Sequence, residues 1–209
     1  LESTKRYVRA MAAAGADLIE LGIPFSDPTA EGPVIQAANL RALSGGVTTD
    51  SVFQMVRELR AELTTPLVFM TYANVVFSYG IEKFVSKAEA AGIDGIIIPD
   101  VPFEESAEFA PSFESRGIDY ISMIAPTSKA RIQEIAAKAK GFLYVVSSLG
   151  VTGERQEIET DLKSMLAQVR AAKPELPAAI GFGISTPEQA KSMGAIADGV
   201  IVGSAIMRI

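Results

Sequence analysis

Parallel β-strands alternating with amphipathic helices are the architecture this sequence predicts, and three observations carry that α/β assignment. Short, nearly continuous apolar runs rich in β-branched residues recur along the chain, as strands covered on both faces require. Between them lie segments whose apolar residues fall at helical spacing. With 209 residues and 48% hydrophobic content, the chain can bury a large core as one domain, with two as the alternative.

The first segment, Thr4 to Gly15, reads as a helix: Tyr7, Val8, Met11 and Ala12 share a face, and Gly15 ends it. Strand-like runs follow from Leu18, then at Leu67 to Tyr72, Gly95 to Asp100, Tyr120 to Ala125, Phe142 to Ser147, Ala178 to Ile184 and Gly199 to Gly203. Helical patterns occupy Val34 to Leu43, Asp50 to Leu63, Ile81 to Ala91, Glu104 to Arg116, Ser128 to Lys140 and Leu162 to Ala172. The interval from Leu18 to Leu67 is unusually long, and long insertions in βα units tend to carry function. A second long interval, Ser147 to Glu159, is polar and contains glycine, and is expected to be a mobile lid loop.

Seven strands are one short of a closed (β/α)8 barrel. The expectation is a single TIM-barrel domain over residues 1–209, with strand 1 and the final helix lacking from the numbered chain. An open doubly wound sheet is the competing architecture. The barrel is favoured because two glycine motifs, GFGISTPEQ (Gly181 to Gln189) and VGSAI (Val202 to Ile206), lie in the last two βα units, where barrels commonly bind phosphate. Gly183 lets backbone approach a ligand, Ser185 and Glu188 are expected to form a capping box, Pro187 suits the first helical turn, and Gly203-Ser204 opens another helix.

Composition narrows the chemistry. With neither cysteine nor histidine, disulfides, thiolate metal sites, Ser-His-Asp triads and Cys-His dyads are excluded. A net charge of −6 and a pI near 4.8, without a basic stripe, argue against nucleic acid and anionic membranes. No run approaches a membrane span and nothing at the start resembles a signal peptide, so a cytoplasmic location is expected. No lysine sits at a strand's C-terminal end, which disfavours a Schiff-base aldolase. Carboxylates remain. The stretch LIELGIPFSDPTAEGP, Leu18 to Pro33, places Glu20 alone in an apolar strand, where an acid must be paired, protonated or used. Glu31 follows on the long loop, and Tyr72, Asp100 and Ser147 end other strands. Asp100 reads as the cap of the next helix or as an acid, with a metal site shared with Glu104 and Glu105 as the lesser reading.

These motifs resemble a specific family, the α subunit of tryptophan synthase. ELGIPFSDPTAEGPVIQ, MTYANVVF, IIPDVPFEES, SSLGVTG, GFGIS and VGSAI occur in that family's order across essentially the whole chain. The resemblance implies a metal-free and Schiff-base-free retro-aldol cleavage of indole-3-glycerol phosphate to indole and glyceraldehyde 3-phosphate. Glu20 then matches the acid that protonates the indole ring carbon and helps deprotonate the neighbouring hydroxyl. Glu31 stands where the family usually has an aspartate that accepts the indole N–H. Gly153, Gly183, Gly203 and Ser204 resemble phosphate binders, and Tyr144 lies near the glycerol phosphate. Met70, Ile97 and Phe182 resemble the indole-pocket wall, Tyr72 is a further substrate-binding candidate, and Thr152 resembles a lid threonine that closes toward the two acids. Pro24, Asp27, Pro28, Asn74 and Pro102 match loops facing a β subunit in an αββα heterotetramer, whose pyridoxal phosphate belongs to β; no cofactor or metal is expected in this chain. Two other readings remain open: another phosphate-binding barrel isomerase or epimerase, and a non-catalytic subunit that activates a β partner.

Overall fold

The structure, a computed structural model, describes residues 1–128, 130–147, 155–181 and 183–209, the side chains of 155–161 excepted. It comprises two units, Leu1–Tyr120 and Ile121–Ile209.

In the first unit, α1 (Glu2–Ala13), β1 (Ile19–Gly22), α2 (Pro33–Ser44), α3 (Thr49–Arg60), β2 (Leu67–Met70), α4 (Ala73–Tyr79), α5 (Ile81–Ala91), β3 (Gly95–Ile97), a 3-10 turn (Phe103–Glu108), α6 (Ala110–Glu114) and β4 (Asp119–Tyr120) follow in order. The strands form one parallel sheet in sequence order. Strand alternation sorts their side chains. Ile19, Leu21 and Ile23, Leu67 and Phe69, and Ile96 and Ile98 join the core that includes the helix residues Phe53, Val56, Phe84 and Val85. Glu20 and Gly22, Val68 and Met70, and Gly95 and Ile97 therefore occupy the other face, with Glu20 in register with Val68 and Met70 with Ile97. Phe53, Phe69, Tyr79, Phe84 and Phe113 pack edge to face, with centroids 5.2 to 6.4 Å apart, giving this core oriented aromatic contacts beyond simple burial.

Strand entry is fastened by Asp94. Its backbone N–H donates to Leu67 O at 2.9 Å, and its carboxylate accepts from Leu67 N–H at 2.8 Å and from the Arg60 guanidinium. Arg60 also donates to the Gly92 and Thr65 carbonyls. Gly92 closes α5 at φ +84°, a conformation that favours glycine, and a Cβ there would crowd Arg60 Cγ at 3.1 Å.

In the second unit, β5 (Met123–Ile124), α7 (Ile132–Lys138), β6 (Leu143–Val146), α8 (Arg155–Ala172), β7 (Ala178–Gly181), α9 (Pro187–Gly194), β8 (Gly199–Val200) and α10 (Ser204–Met207) build a second parallel sheet, again in sequence order. Asp198 repeats the fastening seen at Asp94: its N–H donates to Ala178 O at 3.0 Å and its carboxylate accepts from Ala178 N–H at 2.9 Å.

Four expectations need correction. The single strand expected at Tyr120 to Ala125 is two, β4 and β5, assigned to different sheets. The helix expected at Glu104 to Arg116 is a 3-10 turn followed by the short α6; Pro111 has no N–H to continue a ladder through that junction. An unexpected helix, α4, begins directly after Tyr72. The lid expectation reaches too far, since Arg155 to Glu159 open α8; residues 148–154 lie outside the described residues.

Candidate active site

The apolar run of β1 stops at Pro24, and the chain returns through Glu31 and Gly32 to Pro33 at the first turn of α2. Two buried side chains hold that loop. Asn39, on α2 and 9% exposed, accepts from Phe25 N–H at 3.1 Å through Oδ1. Its Nδ2 donates to Glu31 Oε2 at 2.7 Å and to Ile35 O at 3.1 Å. Tyr72, two residues beyond β2, accepts from Ala30 N–H at 3.1 Å through its hydroxyl, which also hydrogen-bonds the Glu31 carboxylate. Its ring lies 5.2 Å from that of Phe25. Glu31 is thereby gripped from two elements.

Glu20 and Glu31 form a coupled pair. Loss of hydration pushes Glu20 up to about 7, with the charge of Glu31 as the second cause. Among the described residues no side chain hydrogen-bonds the Glu20 carboxyl. Glu31 is raised by burial, against the opposing pull of its hydrogen bonds from Asn39 and Tyr72. Burial also lifts the Tyr72 hydroxyl to about 12. Two like acids with unequal environments separate into a proton carrier and a fixed negative charge.

Asp100 does not cap the next helical turn, whose N-cap is Pro102; its Oδ1 instead accepts from Ala73 N–H at 3.0 Å, at the first residue of α4. Met70 and Ile97 lie side by side on the sheet face that carries Glu20; Ile97 is fully buried and Met70 partly open. Pro24 and Pro28 are partly exposed, and Asp27, Asn74 and Pro102 are exposed. Ser26, Asp27, Pro28, Gln36 and Leu40 line a surface depression of about 260 Å³. Among the described residues no cluster of three or more acidic side chains could hold a metal ion.

In the second unit, Tyr144 on β6 is 5% exposed and lies against Gly181 of β7 so closely that a Cβ there would come within 2.6 Å of its ring. Gly183 adopts φ +75°, as expected of a glycine chosen for its backbone. The capping box falls one residue later than expected: Thr186 caps α9 and pairs with Gln189, while Ser185 donates to the Gln189 side chain instead. Gly203 caps the four-residue α10, whose first residue is Ser204; both are exposed. Thr152, Gly153 and Phe182 lie outside the described residues.

Sequence reasoning missed Asn39. An asparagine inside a helical pattern reads as solvent-facing, and only its spacing of eight residues from Glu31 across a helix start could have hinted at contact.

The family described as tryptophan synthase alpha chain matches residues 1–209. The chain belongs to the tryptophan synthase alpha chain family. An alpha chain from Lacticaseibacillus casei is 52% identical over 206 residues, covering 99% of this chain and 77% of the relative. One from Lactiplantibacillus plantarum is 53% identical over 209 residues, covering 100% and 79%. Among solved structures, tryptophan synthase subunit alpha from Legionella pneumophila superposes with a TM-score of 0.88 at 40% identity, covering 99% of this chain and 77% of that one. A structure concerned with mutual activation of the tryptophan synthase α2β2 complex from Pyrococcus furiosus gives a TM-score of 0.88 at 37% identity, covering 100% and 84%. The fold class is accordingly α/β, of the TIM-barrel type. The tryptophan synthase alpha reaction is a carbon–carbon lyase step, cleavage of indole-3-glycerol phosphate. No described helix is long and apolar enough to cross a membrane.

Proposed function

We propose that this chain performs the alpha reaction with Glu20 as the proton carrier and Glu31 as the fixed acceptor. The observation that carries this is the coupled pair: a Glu20 carboxyl pushed to about 7 beside a Glu31 carboxylate anchored by Asn39 and Tyr72. Glu20 in its acid form protonates the indole ring carbon that bears the side chain. Glu31 accepts the indole N–H and offsets the positive charge that develops on the ring. Glu20, now a carboxylate, takes the proton of the neighbouring hydroxyl; the carbon–carbon bond breaks, and its electrons restore the indole as the aldehyde forms. A carboxyl near 7 can give and take a proton at neutrality.

Met70, Ile97 and Phe182 contact the indole in this proposal, and Tyr72 holds Glu31 in place. Gly153, Gly183, Gly203 and Ser204 bind the phosphate through backbone amides and a hydroxyl, with Tyr144 near the glycerol chain and Thr152 closing over the acids. Pro24, Asp27, Pro28, Asn74 and Pro102 meet a tryptophan synthase β subunit, the holder of pyridoxal phosphate, in an αββα assembly. The α2β2 complex named for the Pyrococcus furiosus neighbour supports that partner. Residues 1–209 form a single barrel domain in this reading, and the location is cytoplasmic.

The test is indole release from indole-3-glycerol phosphate, with and without β subunit, comparing this chain with Glu20→Gln. Loss of release with β activation retained is the expected result. Unchanged release removes Glu20 from the mechanism, and absence of release from the unaltered chain with β present supports a non-catalytic subunit.

A further inference from the structure

We infer that Asn39 is a positioning residue for the lyase reaction, holding the Glu31 carboxylate and the acid-bearing loop to α2 with a single buried amide. The inference rests on the proposed role of Glu31.

The amide is used on both sides. Oδ1 accepts from Phe25 N–H at 3.1 Å, fixing the start of the loop; Nδ2 donates to Glu31 Oε2 at 2.7 Å, fixing its end, and to Ile35 O at 3.1 Å, fixing the amide itself to its own helix. An asparagine can present one acceptor and two donors from one planar group; leucine offers none, aspartate only acceptors. With 9% exposure, the site gives water little room to replace a lost bond. Oε2 is engaged by Asn39, so the orientation of the carboxylate is set before substrate arrives, and a displacement near one bond length is enough to lower the rate substantially.

Asn39→Asp separates the two halves of this role, because it keeps an acceptor for Phe25 N–H and removes the donor to Glu31. The variant and its combination with Glu31→Gln are assayed with β subunit present. The expected result is a ten- to hundredfold fall in kcat with KM within about threefold. In the Glu31→Gln background the same substitution costs less than about threefold, because there is no longer a carboxylate to position. Where the Glu31→Gln rate is too low to compare, the carboxyl carbon resonance of Glu31 is read in the Asn39→Asp chain at fixed pH, and a shift is expected. An equal fold-loss in both backgrounds overturns the inference in favour of a structural role, as does an unmoved resonance. If Glu31→Gln itself leaves indole release intact, the role given to Glu31 falls. If Glu31→Gln is inactive while Asn39→Asp changes neither rate nor resonance, only the positioning role falls.

Discussion

At the scale of single residues, the role proposed for Glu20 stands against stability. Its carboxyl titrates near 4.5 when hydrated and about 7 in the fold, so the folded protein binds the proton more tightly than the unfolded chain. The resulting penalty is absent below pH 4.5, grows as pH rises, and is complete above 7, where it amounts to roughly 3 kcal/mol. Glu20→Gln is therefore expected to abolish indole release and to raise stability by up to about 3 kcal/mol at pH 8, with almost no gain at pH 4; denaturant unfolding at both pH values checks this. Because Glu31 is a cause of the raised value, Glu31→Gln should move the fall in kcat/KM from near pH 7 to lower pH. Both acids were legible in the sequence, the one as a lone charge in an apolar strand and the other by family resemblance. Asn39 was not, since its importance lies in three contacts that no periodicity encodes.

At the scale of elements, the strands ended where their hydrogen-bond partners ended, and the sequence shows only where apolar character ends. Leu67 to Tyr72 reads as one run, yet the strand ends at Met70, the last ladder bond runs from Thr71 N–H to Ile97 O at 3.1 Å, and Tyr72 becomes the N-cap of α4. Asp100, far along the chain, supplies the acceptor that starts that helix, a signal no local window contains. Thr71, between strand and helix, is 1% exposed, and its hydroxyl has no partner among the described residues. Thr71→Val keeps the shape and removes a buried polar atom, so the melting temperature should hold or rise. On β7, Gly181→Ala is expected to push the Tyr144 ring from its seat, seen as altered near-ultraviolet circular dichroism and a raised KM for indole-3-glycerol phosphate. That requirement was invisible in the sequence, where Gly181 reads as part of a phosphate motif.

At the scale of the whole molecule, the alternation of parallel strands and helices was readable because it is written as period and composition, repeated many times. The division of the ladder into two sheets was not, because Tyr120 to Ala125 reads as one mostly apolar run broken only by Ser122, and pairing is a tertiary fact. The same fastening recurs in each unit, where Asp94 and Asp198 each exchange two hydrogen bonds with the first residue of a strand. Asp94→Ala and Asp198→Ala should each cost about 1–2 kcal/mol, and the double variant should cost their sum, since the two share no partner; urea unfolding measures all three. The loop between β1 and α2 has another consequence. Its Phe25 and Ala30 amides donate to side chains from helix and strand end, while Ser26, Asp27 and Thr29 between them stand open to water. In deuterium exchange those two amides should be slow beacons in a fast stretch, so that the loss of their protection reports, without substrate or assay, the moment the loop that carries Glu31 comes undone.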